Sequence, residues 1–132
     1  MAVLSLFVLA APAMADGPSY GDTVHFLRNK LRGPFEEQQN CTFSYLNSEK
    51  ETWYQKSSLT FSARRLERVP QEVADESVTF GCSNGASCVI FNDMPMRTIT
   101  LEGAAADMTQ IVKAMTHLID LCQVAKQDSL FQ

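Results

Sequence analysis

The chain has 132 residues, a length that suits one domain of ordinary size rather than several. Its composition, 45% hydrophobic and 20% charged, excludes a largely disordered protein. The formal net charge of −4 argues against nucleic acid or an anionic membrane surface as the main partner, because both favour dense Lys and Arg.

The first fifteen residues predict an export signal. An apolar run from Ala2 to Ala11 leads into Ala13-Met14-Ala15, which is a small-x-small cleavage signature. The run is too short for a membrane-spanning helix, which needs about 20 residues. Because no Lys or Arg precedes the run, a buried N-terminal helix or strand is the alternative interpretation. Cleavage after Ala15 would leave a single domain, residues 16–132, in the periplasm or outside the cell.

The first half of this domain predicts a helix followed by strands. Asp22 is the predicted N-cap of a short amphipathic helix that ends near Arg32, before Gly33-Pro34. Residues 35–39 are predicted to be a polar connector. Alternating apolar residues then predict strands over 41–46, 52–56 and 58–63, a further alternation over 64–69 and a polar loop over 70–76.

The second half predicts a hairpin, one more strand and a long helix. Residues 77–82 and 88–91 read as strands joined by a loop with an Asn-Gly turn signal, and a turn and a last strand over 96–101 follow. From Ala104 to about Lys126, apolar residues recur at spacings of three and four and predict an amphipathic helix. The apolar stripe of that helix consists of Met108, Ile111, Val112, Met115, Leu118, Ile119 and Cys122.

The order of these elements predicts an α+β fold. Five to six strands are expected to form one curved antiparallel sheet behind a short N-terminal helix. The long C-terminal amphipathic helix has to bury its apolar stripe, and the strand-rich middle of the chain is the surface on which we expect it to pack.

Four cysteines in an exported chain are expected to form disulfides, because that compartment is oxidising. Four cysteines allow three pairings, and the sequence does not choose strictly among them. Cys82 and Cys88 are predicted to face each other across the hairpin, within disulfide range. Cys41 and Cys122 both point into the predicted core, so a second bridge would tie the last helix to the first strand. A reactive or metal-binding thiol is the alternative.

Two further residue pairs are candidates for chemistry. His117 and Asp120 lie three residues apart on the polar face of the last helix, where they suit either a small exported enzyme or an ordinary surface pair. Met94 and Met96 form a Met-x-Met element whose thioethers suit Cu(I), with a hairpin turn as the alternative. We predict no catalytic site, metal site or cofactor from either pair.

An aromatic and basic surface is the candidate binding site. Trp53 and Tyr54 are neighbours on a predicted strand, so one of them faces away from the core. Beside Arg64, Arg65 and Arg68, that aromatic ring could contact a protein or small-molecule partner. The alternative is a half-buried edge-strand aromatic with solvated arginines.

Three segments carry a family resemblance: FLRNKL near the start, VTFGC with CVIF in the middle, and IVKAMTHLIDLC at the end. Together they resemble small exported bacterial domains of the pleckstrin-homology-like type. The resemblance implies a curved strand set capped by one C-terminal helix, and it implies no catalytic residues.

We therefore expect a non-enzymatic periplasmic or secreted binding module that is cross-linked by disulfides and has no transmembrane segment. Its expected partner is a protein or small molecule and not nucleic acid. The alternatives are a small exported enzyme that uses His117 with Asp120, and a periplasmic metal-handling protein that uses Met94 with Met96.

Overall fold

The computed structural model describes residues 17–46 and 58–129. Within these ranges the fold is α+β, as predicted, with a short N-terminal helix, antiparallel strands and a long C-terminal helix packed on them. No helix in these ranges is long and apolar enough to cross a membrane. The predicted export signal, the predicted strand over 52–56, and Trp53 and Tyr54 lie outside the described residues.

The described residues contain two α-helices, α1 and α2, and eight strands, β1 to β8. Their bounds in chain order are α1 Tyr20–Lys30, β1 Phe35–Gln39, β2 Thr42–Leu46, β3 Ser58–Ser62, β4 Glu72–Val73, β5 Ser77–Gly81, β6 Val89–Phe91, β7 Met94–Met96, β8 Thr98–Glu102 and α2 Met108–Ser129. Single 3-10 turns occur at Ala63–Arg65, Ser83–Gly85 and Ala105–Asp107. Each of these turns lies where the chain leaves one sheet for the other or enters α2.

The strands form two antiparallel sheets instead of the single predicted one. The larger sheet has the order β1-β2-β3-β6-β7, and the smaller one has the order β4-β5-β8. The predicted hairpin is wrong, because β5 pairs with β8 whereas β6 pairs with β3 and β7. The predicted strand over 96–101 is also divided between the two sheets. Met96 belongs to β7, residues 98–101 belong to β8, and Arg97 lies between them.

Strand β1 occupies residues 35–39, where the sequence predicts a polar connector. Phe35 is buried and pairs with Tyr45 of β2, whereas the other four side chains of β1 are exposed. Because β1 is an edge strand with charged and amide side chains, it carries no apolar alternation that a periodicity search would detect. The connector prediction is therefore wrong.

Helix α1 begins earlier than predicted. The Ser19 hydroxyl accepts a hydrogen bond from the Asp22 backbone N–H at 3.1 Å and caps the helix, so Asp22 lies inside α1 and is not its cap. The helix ends at Lys30, because Leu31 is already extended and forms a bridge with Gly103 after β8. Val24 and Leu27 are the apolar residues that α1 buries.

One hydrophobic core is shared by both sheets and both helices. The predicted stripe of α2 is confirmed, since six of its seven residues are buried and Val112 is half-buried. The larger sheet contributes a group of aromatic rings, in which Phe35 and Phe43 stack with centroids 4.9 Å apart and Phe61 lies 5.8 Å from Phe43. The smaller sheet contributes buried side chains such as Ile99 and Leu101.

All four cysteines form disulfides, in the two predicted pairs. Cys41 and Cys122, with Cα atoms 5.8 Å apart, join the turn between β1 and β2 to α2. Cys82 and Cys88, with Cα atoms 5.7 Å apart, close the loop that connects the two sheets. Cys82–Cys88 is therefore a loop disulfide and not the predicted cross-strand pair.

Gly103 marks the point where α1, β8 and α2 converge. A Cβ atom at this position would overlap Cδ1 of Ile111 in α2 and would lie 3.3 Å from the carbonyl oxygen of Lys30. The Arg32 N–H donates to the Glu102 carbonyl oxygen at 2.7 Å and brings the end of α1 against β8. A side chain at Gly103 would therefore require the Ile111 side chain to move.

We predict that Gly103→Ala lowers the free energy of unfolding by about 1–3 kcal/mol, the usual cost of overpacking a core. Gly21→Ala is the matched control, because a Cβ on Gly21 in α1 meets no atom within 4 Å. That variant should be neutral or more stable by up to about 1 kcal/mol. Urea denaturation of both variants measures the difference, and equal stabilities would contradict the close packing at Gly103.

Candidate functional site

A groove with a volume of about 530 Å³ lies between the start of α1 and the middle of α2. This volume is within the range of small-molecule sites in proteins, which is about 300–1,000 Å³. Its walls come from the segment before α1, from α1 and from α2, and most of the exposed lining is carbon. The lining residues are Gly17, Pro18, Asp22, Thr23, Phe26, Gln110, Lys113, Ala114 and His117.

Contacts at both ends hold the two helices side by side and antiparallel. At one end, Lys30 Nζ lies 3.7 Å from Asp107 Oδ1, just before α2. At the other end, His117 Nε2 lies 2.7 Å from the carbonyl oxygen of Pro18, just before α1. Because Val24 and Leu27 face the core, Phe26 lies on the flank of α1 and is half-buried against the groove.

Cys41 connects both walls of the groove to the same turn of the larger sheet. Its disulfide to Cys122 holds α2, and its backbone N–H donates at 2.8 Å to the hydroxyl of Tyr20 in α1. The Tyr20 hydroxyl in turn donates to Glu37 at 2.6 Å. Partial burial, together with this bond to Glu37, raises the pKa of Tyr20 to about 12, so the phenol keeps its proton at neutral pH.

His117 and Asp120, the predicted candidate pair, each bind another group. Both carboxylate oxygens of Asp120 accept hydrogen bonds from the Arg68 guanidinium, at 2.7 and 2.8 Å. This bidentate contact with Arg68 holds the pKa of Asp120 below its usual value, and it raises the pKa of Arg68. His117 lines the groove, as an enzyme would need, but its Nε2 faces Pro18 and not a hydroxyl or thiol.

The three arginines of the predicted binding surface lie near one end of α2. Arg64 and Arg65 belong to the 3-10 turn after β3, and Arg64 Nη1 donates to the Asn40 carbonyl oxygen at 3.2 Å. Arg68 is the partner of Asp120. Arg65 is exposed. Since Trp53 and Tyr54 lie outside the described residues, the aromatic half of this surface stays a prediction.

Met94 and Met96 lie on β7, the edge strand of the larger sheet. Asn92 and Asp93, both with positive φ, form the two-residue turn that precedes β7, which is the conformation of a type I′ hairpin. Alternation along β7 places both thioethers on one face, beside paired neighbours that are apolar. In residues 17–46 and 58–129, no three His, Cys, Asp or Glu side chains are grouped to hold a metal ion.

The groove itself is the feature that sequence reasoning missed. Phe26 is the one signal that could have indicated it, because this large apolar residue lies beside the stripe of Val24 and Leu27 and not within it. Such a flanking aromatic needs a second surface to cover it. The sequence does not say that α2 supplies the surface, because the placement of α1 against α2 depends on contacts between residues far apart in the chain, such as Lys30 with Asp107 and Pro18 with His117.

No protein-family model, no characterised protein and no solved structure matches this chain. The resemblance to pleckstrin-homology-like domains therefore stays a prediction. What the chain does has to be argued from its own geometry.

The ion pair between Arg68 and Asp120 predicts a defined pH dependence. Because Arg68 lowers the folded-state pKa of Asp120 below its unfolded value of about 3.9, the pair stabilises the fold above about pH 4. That stabilisation is lost as the pH falls through the lowered pKa. We predict that Asp120→Asn causes a small loss of stability at pH 7, typical of a partly exposed pair, and almost none at pH 2.

Urea midpoints of the wild type and of Asp120→Asn at the two pH values measure this effect. Asp75→Asn is the control, because Asp75 forms no ion pair with any residue that the structure describes. A loss of equal size at both pH values would show that Asp120 acts through packing and not through its charge.

Proposed function

We propose that this chain is a non-enzymatic binding module of an oxidising compartment, either periplasmic or secreted. Its ligand would be a small, mainly apolar molecule that occupies the groove between α1 and α2. The observation that carries the proposal is this groove of about 530 Å³, whose lining is mostly carbon with a few polar groups.

Rigid walls support a binding role. Cys41 holds α2 through its disulfide and holds α1 through the Tyr20 hydroxyl, so the two walls are attached to one point of the sheet. The Lys30–Asp107 and His117–Pro18 contacts connect α1 and α2 at two further points. A groove that exists before the ligand arrives avoids the cost of ordering its walls on binding.

The two disulfides support an oxidising compartment, because cytosolic thiols are generally kept reduced. Export through the predicted signal of residues 1–15 accounts for that compartment. Mass spectrometry of the purified exported protein would identify the cleavage site directly.

Two contacts of α2 weigh against a catalytic pair of His117 and Asp120. His117 binds the Pro18 carbonyl oxygen, and Asp120 is occupied by Arg68. Thr23 carries the single hydroxyl of the groove lining, and this hydroxyl donates at 2.8 Å to the carbonyl oxygen of Ser19, the N-cap of α1. A nucleophile paired with a general base would need these side chains to exchange partners.

The proposed function predicts saturable binding of N-phenyl-1-naphthylamine, a neutral apolar dye whose fluorescence rises in apolar surroundings. Ala114→Leu adds apolar volume inside the groove, so it should weaken dye binding about ten-fold or more. Fluorescence titration measures both dissociation constants.

Ala106→Leu is the matched control, since it makes the same chemical change at an exposed position before α2, away from the groove. It should leave dye binding unchanged, and thermal unfolding should show that both variants are folded. Equal effects of the two substitutions, or no binding by the wild type, would reject the groove as the site.

A further inference from the structure

The groove carries one carboxylate and one ammonium group on facing walls. Asp22 belongs to α1 and Lys113 belongs to α2. Within residues 17–46 and 58–129, no oppositely charged group lies within 4 Å of either one. The basic residues further along α1 differ, because Arg28 and Lys30 pair with Glu36 and Asp107.

The rest of the groove lining is largely apolar. Phe26, Ala114 and Pro18 line the groove, and His117 and Gln110 contribute polar side chains to the lining. A purely anionic ligand would meet repulsion from Asp22, and a purely cationic one would meet repulsion from Lys113. A ligand with both charges and an apolar body satisfies the two walls together.

Resting on the proposed function, we propose that the groove binds a zwitterion with an apolar side chain, namely an apolar α-amino acid. The ligand's ammonium group faces the Asp22 carboxylate, and its carboxylate faces the Lys113 ammonium. Its side chain packs against Phe26 and Ala114. Recognition combines apolar burial with two partly exposed ion pairs, so we expect each pair to contribute modestly to affinity.

Lys113 also borders a second groove, with a volume of about 440 Å³, on the other side of α2. Val73, Asp75 and Met108 are among the residues that line it. Because Asp75 could pair with a ligand there as Asp22 does in the first groove, Asp75→Asn is the control that distinguishes the two sites.

Three probes with the same apolar body test the proposal. Phenylalanine carries both charges, phenethylamine carries the ammonium alone, and 3-phenylpropanoate carries the carboxylate alone. Each is titrated into the purified protein to displace N-phenyl-1-naphthylamine. We expect phenylalanine to bind most tightly. Asp22→Asn should weaken phenylalanine and phenethylamine about two- to five-fold but not 3-phenylpropanoate.

Lys113→Met should have the opposite selectivity, weakening phenylalanine and 3-phenylpropanoate about two- to five-fold but not phenethylamine. A general loosening of the helices would weaken the binding of all three probes alike. Comparing the probes within one variant therefore separates that effect from the loss of one charge. Asp75→Asn should leave the order and the affinities of all three probes unchanged.

If the dye binds but the three probes compete equally, or if Asp22→Asn and Lys113→Met leave the ratios of their dissociation constants unchanged, the zwitterion proposal is rejected while the binding function stands. If Asp75→Asn reproduces the selectivity expected of Asp22→Asn, the ligand occupies the second groove and the proposal is also rejected. If the dye itself does not bind, both the proposed function and this inference fail.

Discussion

The Cys41–Cys122 disulfide is the constraint on which the arrangement of this fold depends. It joins the turn between β1 and β2 to the last buried position of the α2 stripe. The Cys41 backbone N–H holds α1 through Tyr20, and its carbonyl oxygen accepts the Ala63 N–H at 2.8 Å. Four elements therefore meet at one residue. The groove between α1 and α2 is a consequence, because both of its walls are attached there.

The polar face of α2 carries two groups of side chains. One group holds a neighbouring segment of the chain, and the other lines the groove. Towards its C-terminal half, Asp120 binds Arg68, and the Gln123 amide donates to the Leu66 carbonyl oxygen at 2.9 Å, so these side chains hold the segment after β3. About two to three turns before Asp120, Gln110 and Lys113 line the groove. This division explains why the predicted pairing of His117 with Asp120 gives way to two separate structural contacts.

Local patterns predict the helices and the cysteine pairs but not the way in which the strands pair. The α2 stripe and the buried faces of β2 and β8 follow directly from their periodicities, and Cys41 and Cys122 could be paired because both fall on apolar faces of the predicted strand and helix. Strand β1 was missed because only Phe35 is buried. The sheet division and the groove were missed because both depend on contacts between distant segments, which no local pattern records.

The most direct test is to compare the unfolding free energies of two double variants, Cys41→Ala with Cys122→Ala and Cys82→Ala with Cys88→Ala. The first disulfide spans 81 residues and the second spans 6, so loop-closure entropy predicts losses of about 4–5 and about 2–3 kcal/mol. All four cysteines are buried, which makes the packing losses comparable. A clearly larger loss for the Cys41–Cys122 pair is the predicted result. Equal losses, or a larger loss for the loop disulfide, would contradict the central role of Cys41.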